Sequence, residues 1–182
     1  MHFSKQSRYE DLFLRMLRCE KCFPREKKLL LPGTGNLDSK IMCIGEAPSK
    51  HRNFNETFGM KSKPIFEEFL KRCGLTRNDV WITNVVKCII LHEKTGDPEK
   101  CKEFILEEID IVDPELIILF GKTATKAILG ENHKFGEMIR TLDRVYYCVP
   151  HPMVCIYRPT EKENYMRYAD KIRPIVDSII RA

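Results

Sequence analysis

The stretch WITNVVKC, residues 81–88, decides how the rest of the chain reads. Aliphatic and β-branched residues from 80 to 86 favour an extended strand, apolar enough to be buried on both faces. Such strands belong to open α/β sheets, which bind ligands in the crevice outside the carboxyl ends of their strands. Asn84 would stand near that end, and Cys88 would lie just outside the sheet.

Outward from this stretch, three more short apolar runs read as strands: KIMCIG (40–45), LIILF (116–120) and RVYYCV (144–149). Helical patterns cover residues 9–17, 64–73, 98–112, 123–129 and 161–181. In IFEEFLKRCGL, the apolar Ile65, Phe66, Phe69, Leu70 and Cys73 recur at helical spacing, and Gly74 is a stop signal. Asp97 is a helix N-cap with Pro98 in the first position, and the helix ends before Pro114. Pro174 is expected to bend or interrupt the last helix. Strands alternating with helices predict an α/β fold whose central, mostly parallel, four-stranded sheet is covered on both faces. With 182 residues, 43% of them hydrophobic, one domain over residues 1–182 is expected. Internal repeats, heptads and low-complexity tracts are absent.

No run approaches the roughly 18 consecutive apolar residues of a membrane span. The N-terminus lacks an apolar signal core, so a cytoplasmic location is expected. Lysine plus arginine (31) exceeds aspartate plus glutamate (26) by 5, which permits a polyanionic partner without demanding one.

Eight cysteines are many for a reducing compartment, where clustered thiols more often hold metal than form disulfides. Cys19 and Cys22 form C-x-x-C, and Cys88 and Cys101 form a wider pair with twelve residues between them. Two such pairs can make a four-thiolate site for an iron–sulfur cluster or zinc. The spacing is not that of a zinc ribbon, and a thioredoxin-like C-x-x-C would sit between a strand and a helix. Cys43, Cys73 and Cys148 fall within strand or helix patterns and read as small core residues, while Cys155 lies in a loop with no assigned role.

The loops after the strands, GEAPSKHRNFNETFGMKSK, KCIILHEKTGDPEK and PHPMVCIYRPT, should all open on the carboxyl edge of the sheet. Together GEAPS, TNVVKC, VDPELIILFGKTATKAILG and HP followed by Arg158 resemble the uracil-DNA glycosylase superfamily, and within it the family 4 iron–sulfur enzymes. The resemblance covers nearly the whole chain, in order. It implies a three-layer α/β/α sandwich and a 4Fe-4S cluster on Cys19, Cys22, Cys88 and Cys101. The implied activity is that of a monofunctional DNA glycosylase hydrolysing the N-glycosidic bond of uracil, or of another deaminated or mispaired base, flipped out of DNA. The alternative is a damage-recognising, DNA-binding iron–sulfur protein with little or no turnover. A redox protein on the same fold ranks last because it leaves the three loops unexplained. The implied partner is DNA containing uracil or another damaged base. A replication clamp is a candidate protein partner, and a monomer is the simplest assembly.

The resemblance also assigns residues. Asn84 matches the base-reading asparagine, whose amide can donate to one pyrimidine edge atom and accept from another. His151 matches the donor that would stabilise negative charge on the base carbonyl. Phe58, in NETFGM, aligns with the phenylalanine of the family's PFVG, whose ring would stack on the base for about 1–3 kcal/mol. Ser49 joins the base pocket. Glu46 would orient water or stabilise the cationic sugar, or else brace its loop through backbone N–H groups. Arg158 falls where the family inserts a loop into the minor groove. Lys87, with Lys50, Arg52, Lys61 and Lys63, would contact the DNA backbone. Two departures bear on base selectivity. The run SKHRNFNETFGMKSK is basic and polar until Glu56, leaving no clear counterpart to the acid that excludes the thymine methyl. HPM replaces the usual HPS, so that Met153 would fill space a small hydroxyl leaves open.

Overall fold

The computed structural model describes residues 4–49, 56–130 and 133–182. Lys50 and Arg52 lie outside the described residues. The described residues form nine strands, in chain order: β1 (Leu29–Leu30), β2 (Thr34–Gly35), β3 (Ile41–Gly45), β4 (Trp81–Asn84), β5 (Cys88–Ile90), β6 (Lys94–Thr95), β7 (Leu116–Phe120), β8 (Met138–Arg140) and β9 (Val145–Val149). The α-helices are α1 (Lys5–Arg18), α2 (Lys63–Arg72), α3 (Pro98–Val112), α4 (Lys122–Leu129), the short α5 (Val154–Tyr157) and α6 (Lys162–Arg181).

The main sheet has the order β2-β4-β3-β7-β9-β8, six strands where the sequence shows four. Its centre, β4-β3-β7-β9, is parallel, and these are the four expected strands. The added edges β2 and β8 are antiparallel and only two and three residues long, too short for an alternating pattern to show. A separate antiparallel sheet pairs β1, from the N-terminal segment, with β5 and β6 of the loop after β4.

Side-chain alternation along the central strands makes the three layers. On one face, Leu116, Ile118 and Phe120 of β7 join Cys43, Ile82 and Tyr147 beneath α2 and α6, which contribute Phe66, Phe69, Met166 and Ile172. On the other, Ile117 and Leu119 join Met42, Ile44, Trp81 and Cys148 beneath Ile105, Ile109 and Val112 of α3 and Ala124 and Ala127 of α4. Helix α1 packs outside α3 through Leu12, Met16, Phe104 and Ile111. Cys43, Cys73 and Cys148 are fully buried, as core residues should be, and Cys155 is buried within α5.

Asp97 caps α3 by accepting from the Glu99 N–H at 2.9 Å, with Pro98 at the first position. Helix α6, however, runs continuously through Pro174. Pro174 is exposed, so water can satisfy the carbonyl it leaves without a partner, while Ile172 and Val176 on either side are fully buried. Packing of that apolar face outweighs the lost hydrogen bond.

Candidate active site

The parallel register brings the ends of the central strands to one edge. Gly45 pairs with Asn84, and Phe120 pairs with Val149, two residues before His151. A cavity of about 460 Å³ opens there, within the range of small-ligand pockets. It is lined by Ala47, Pro48 and Ser49 after β3, residues 56–62 before and at the start of α2, Asn84, and His151, Met153 and Tyr157. The first and third loops thus meet at the cavity as expected. The second loop contributes only the strand end, Asn84, and then turns away to form β5 and β6.

Asn84 is buried, and its Nδ2 donates to the Thr57 hydroxyl at 2.9 Å. Space beside it depends on Gly45: a Cβ there would lie 2.6 Å from Asn84 Oδ1 and 3.0 Å from the Phe58 ring. Phe58 lies against Phe66, with centroids 4.2 Å apart and planes 17° from parallel, and meets the edge of Phe120 at 4.8 Å. The His151 ring is tilted beside it at 5.6 Å.

Burial pushes the His151 imidazole down to about 4, so the ring is neutral at neutral pH. Its Nδ1 accepts from the Met153 backbone N–H at 3.2 Å. The one proton of the neutral ring is therefore on Nε2, which makes His151 a hydrogen-bond donor of fixed tautomer.

The wall from Glu56 to Ser62 is strained and heavily braced. Phe58 and Met60 have φ of 54° and 52°, a left-handed conformation that costs bulky side chains about 1–3 kcal/mol each. Arg77 Nη2 donates to the Thr57 carbonyl at 2.6 Å and lies 3.4 Å from Glu56, and its guanidinium sits 5.2 Å above the Phe66 ring. Lys63 pairs with Glu56 at 2.8 Å, and Ser62 Oγ donates to the Gly59 carbonyl at 2.8 Å. Glu56 therefore lines the cavity with its carboxylate already engaged by two cations.

The remaining assigned residues separate. Ser49 lines the cavity with its hydroxyl 4.0 Å from Met60 Sδ. Glu46 is exposed and does not line the cavity; its backbone carbonyl accepts from Val86 N at 2.9 Å. Its carboxylate bonds to no backbone N–H among the described residues, which leaves the loop-bracing role without support there. Arg158 is exposed beside the equally exposed Tyr157 of the cavity rim, and Lys61 is exposed on the opposite wall.

Lys87 is corrected by its surroundings. It is only 2% exposed, and its ammonium bonds to Glu108 and, at 2.7 Å, to the Thr83 hydroxyl. Glu108 is itself fully buried and also accepts from Trp81 Nε1 at 2.9 Å and Thr83 Oγ1 at 3.2 Å. An inward ammonium held this way cannot reach a phosphate. The partner that draws it in lies 21 residues away on α3, a distance no local pattern exposes. Thr57 and Tyr157 also went unassigned in the sequence, each next to an assigned residue, Phe58 or Arg158.

The four cysteines gather behind the reader strand. Cys88 and Cys101 are buried, and Cys19 and Cys22 are half-exposed. Cys88 and Cys101 share a hydrogen bond that favours ionising one and holds the other thiol up. The Asp97 N–H donates to Cys22 Sγ at 3.3 Å, and the Lys87 backbone N–H bonds to Cys101. A Cβ on Gly96 would lie 3.3 Å from Cys88 Sγ, so this glycine leaves the thiols room. The 19–22 turn is held in place by Lys28, which donates to the Cys19 carbonyl, by Lys100, which donates to the Lys21 carbonyl at 3.1 Å, and by the Lys21–Glu103 pair at 2.7 Å. Among the described residues no three His, Cys, Asp or Glu side chains converge as closely as a single metal ion requires. Four thiols, two of them receiving backbone N–H groups, form a donor set suited to an iron–sulfur cluster or zinc.

Comparison with known proteins agrees with this geometry. The model of the Uracil DNA glycosylase superfamily matches residues 32–172. The Type-4 uracil-DNA glycosylase of Archaeoglobus fulgidus is 28% identical over 173 residues, covering 86% of this chain and 87% of that protein. The Type-4 enzyme of Thermotoga maritima is 31% identical, covering 67% of this chain and 66% of its own. A Type-5 uracil-DNA glycosylase of Pyrobaculum aerophilum is 26% identical over 79% of this chain and 82% of its own. The superfamily match runs from just before β2 into α6 and takes in every residue that lines the cavity, so the chain belongs to the uracil-DNA glycosylase superfamily.

Proposed function

We propose that this protein is a monofunctional DNA glycosylase that removes uracil from DNA. One observation carries the reading: an amide, a neutral imidazole donor and an aromatic ring converge on a base-sized cavity at the carboxyl edge of the sheet. A base inside a duplex cannot reach that cavity, so it is flipped out at a cost of a few kcal/mol. Asn84 then reads its edge and Phe58 stacks on its face. Cleavage of the bond between base and sugar leaves an electron pair on the base, and His151 Nε2–H stabilises the resulting charge on a base carbonyl. Water, oriented by Glu46, adds to the cationic sugar and loses a proton that passes through solvent to neutralise the departed base anion, and Arg158 engages the DNA backbone or the gap left in the stack.

Cys19, Cys22, Cys88 and Cys101 would hold the 4Fe-4S cluster, whose contribution when bound is to tie the N-terminal turn to the loop behind Asn84. A monomeric, cytoplasmic enzyme with a replication clamp as an accessory partner completes this reading.

The test is base release from matched oligonucleotides carrying uracil, thymine opposite guanine, hypoxanthine or xanthine, with protein purified anaerobically and its iron measured. Release of uracil supports the proposal, and release of the other bases as well would make the altered first loop a change of specificity. Tight binding to damaged DNA without release of any base would overturn it in favour of a damage-recognising protein.

A further inference from the structure

We infer that Thr57 is a specificity-determining residue of the base pocket, its hydroxyl orienting the Asn84 amide and donating to a carbonyl of the flipped base. This rests on the base-reading site proposed above and deepens it. Thr57 and Asn84 are 27 residues apart in sequence, both are about 3% exposed, and both line the cavity. Asn84 Nδ2 donates to Thr57 Oγ1 at 2.9 Å. With Oγ1 accepting, the hydroxyl keeps its own proton, for which no acceptor occurs among the described residues.

A hydroxyl can both accept and donate, so Thr57 alone would permit the Asn84 amide to face either way. Gly45 removes that freedom. Asn84 Oδ1 stands 2.6 Å from the ideal Cβ position of Gly45, against backbone Cα–H groups rather than an acceptor. Reversing the amide would turn an N–H onto that carbon surface, where no acceptor among the described residues faces it. With the amide so fixed, the free proton of Thr57 and the second Nδ2 proton both suit a carbonyl oxygen. An exocyclic amino group would instead meet donors. The pocket therefore favours bases that present a carbonyl at this edge, as deamination leaves, over their amino-bearing parents.

The backbone of Thr57 is fixed from behind, because Arg77 Nη2 donates to its carbonyl at 2.6 Å.

The experiment compares wild-type protein with Thr57→Val, Thr57→Ala and Thr57→Ser in two assays. One is uracil release from a single-stranded oligonucleotide. The other is affinity for an oligonucleotide carrying non-hydrolysable 2′-fluoro-2′-deoxyuridine relative to one carrying a tetrahydrofuran abasic analogue. Valine and alanine should each lower kcat/KM and the binding preference about tenfold, the factor one neutral hydrogen bond carries, with Tm little changed. Serine should keep both within about twofold, since it retains the hydroxyl. Full activity and preference in the valine or alanine variant, or a serine variant as impaired as valine, would overturn the inference. A wild-type protein that prefers the fluorinated oligonucleotide yet releases no base would sink the glycosylase proposal, while the variants' binding ratios would still decide Thr57. No preference in the wild type would overturn the Thr57 assignment itself.

Discussion

His151 shows how one backbone contact sets the chemistry of a side chain. The Met153 N–H occupies Nδ1 and burial disfavours the cation, so the ring offers only a proton on Nε2. Replacing it with alanine should slow base release by about 10²–10³-fold under single-turnover conditions, the usual cost of losing one donor to a developing anion. The rate of the wild type should show no inflection near pH 6.5 and should fall only as the pH approaches about 4, where the ring protonates and two donors face each other across Nδ1. The stability effect has the same window. Between the unfolded value of 6.5 and the folded value of about 4, the unfolded chain binds the extra proton, so stability falls as pH is lowered through that range. Chemical denaturation at pH 7 and pH 5 should show this component, and it should vanish in the alanine variant.

At the scale of elements, much of the architecture was legible because it rests on periodicity. The buried faces of α2 and α3 follow helical spacing, and the central strands are continuous apolar runs. Asn84 was legible as the polar residue where such a run ends, whereas His151 stood out only through the resemblance of its loop to the glycosylase superfamily. The six-stranded width, the continuity of α6 and the burial of Lys87 were not, because each depends on a partner distant in sequence. The Lys87–Glu108 pair joins β4, the residue before Cys88 and the helix that carries Cys101, so it ties the reader strand to the thiols. Glu108→Leu strands a buried ammonium and should cost about 3–5 kcal/mol in denaturant unfolding. Adding Lys87→Met should recover much of that loss, because the pair is then replaced by apolar volume. Surface pairs such as Lys40–Glu115, at 3.1 Å and half-exposed, should matter by less than about 1 kcal/mol.

Across the whole molecule, the cysteines join segments that the sheet does not. Helix α1 packs on α3 and touches the main sheet through Tyr9, whose ring meets Trp81 edge-on at 4.9 Å, and the turn after it is docked by Lys100 and Glu103 near the start of α3. A cluster on the four thiols would fasten both ends of this arrangement. Removing iron by oxidation and chelation should therefore lower Tm and expose the α1 amides to hydrogen exchange before those of β3 and β7. Unchanged exchange at α1 in iron-depleted protein would argue against a stapling role. Among the described residues no helix is long and apolar enough to cross a membrane.

The bare backbone at Gly45 carries a last consequence. Its φ is not left-handed, so the position would tolerate a side chain conformationally, and only the neighbouring Asn84 and Phe58 forbid one. The depth of the pocket is thus set by the absence of a single methyl group. A single codon change here would close the pocket and silence catalysis while the sheet and the thiols stay in place, at the packing cost of moving Asn84 and Phe58.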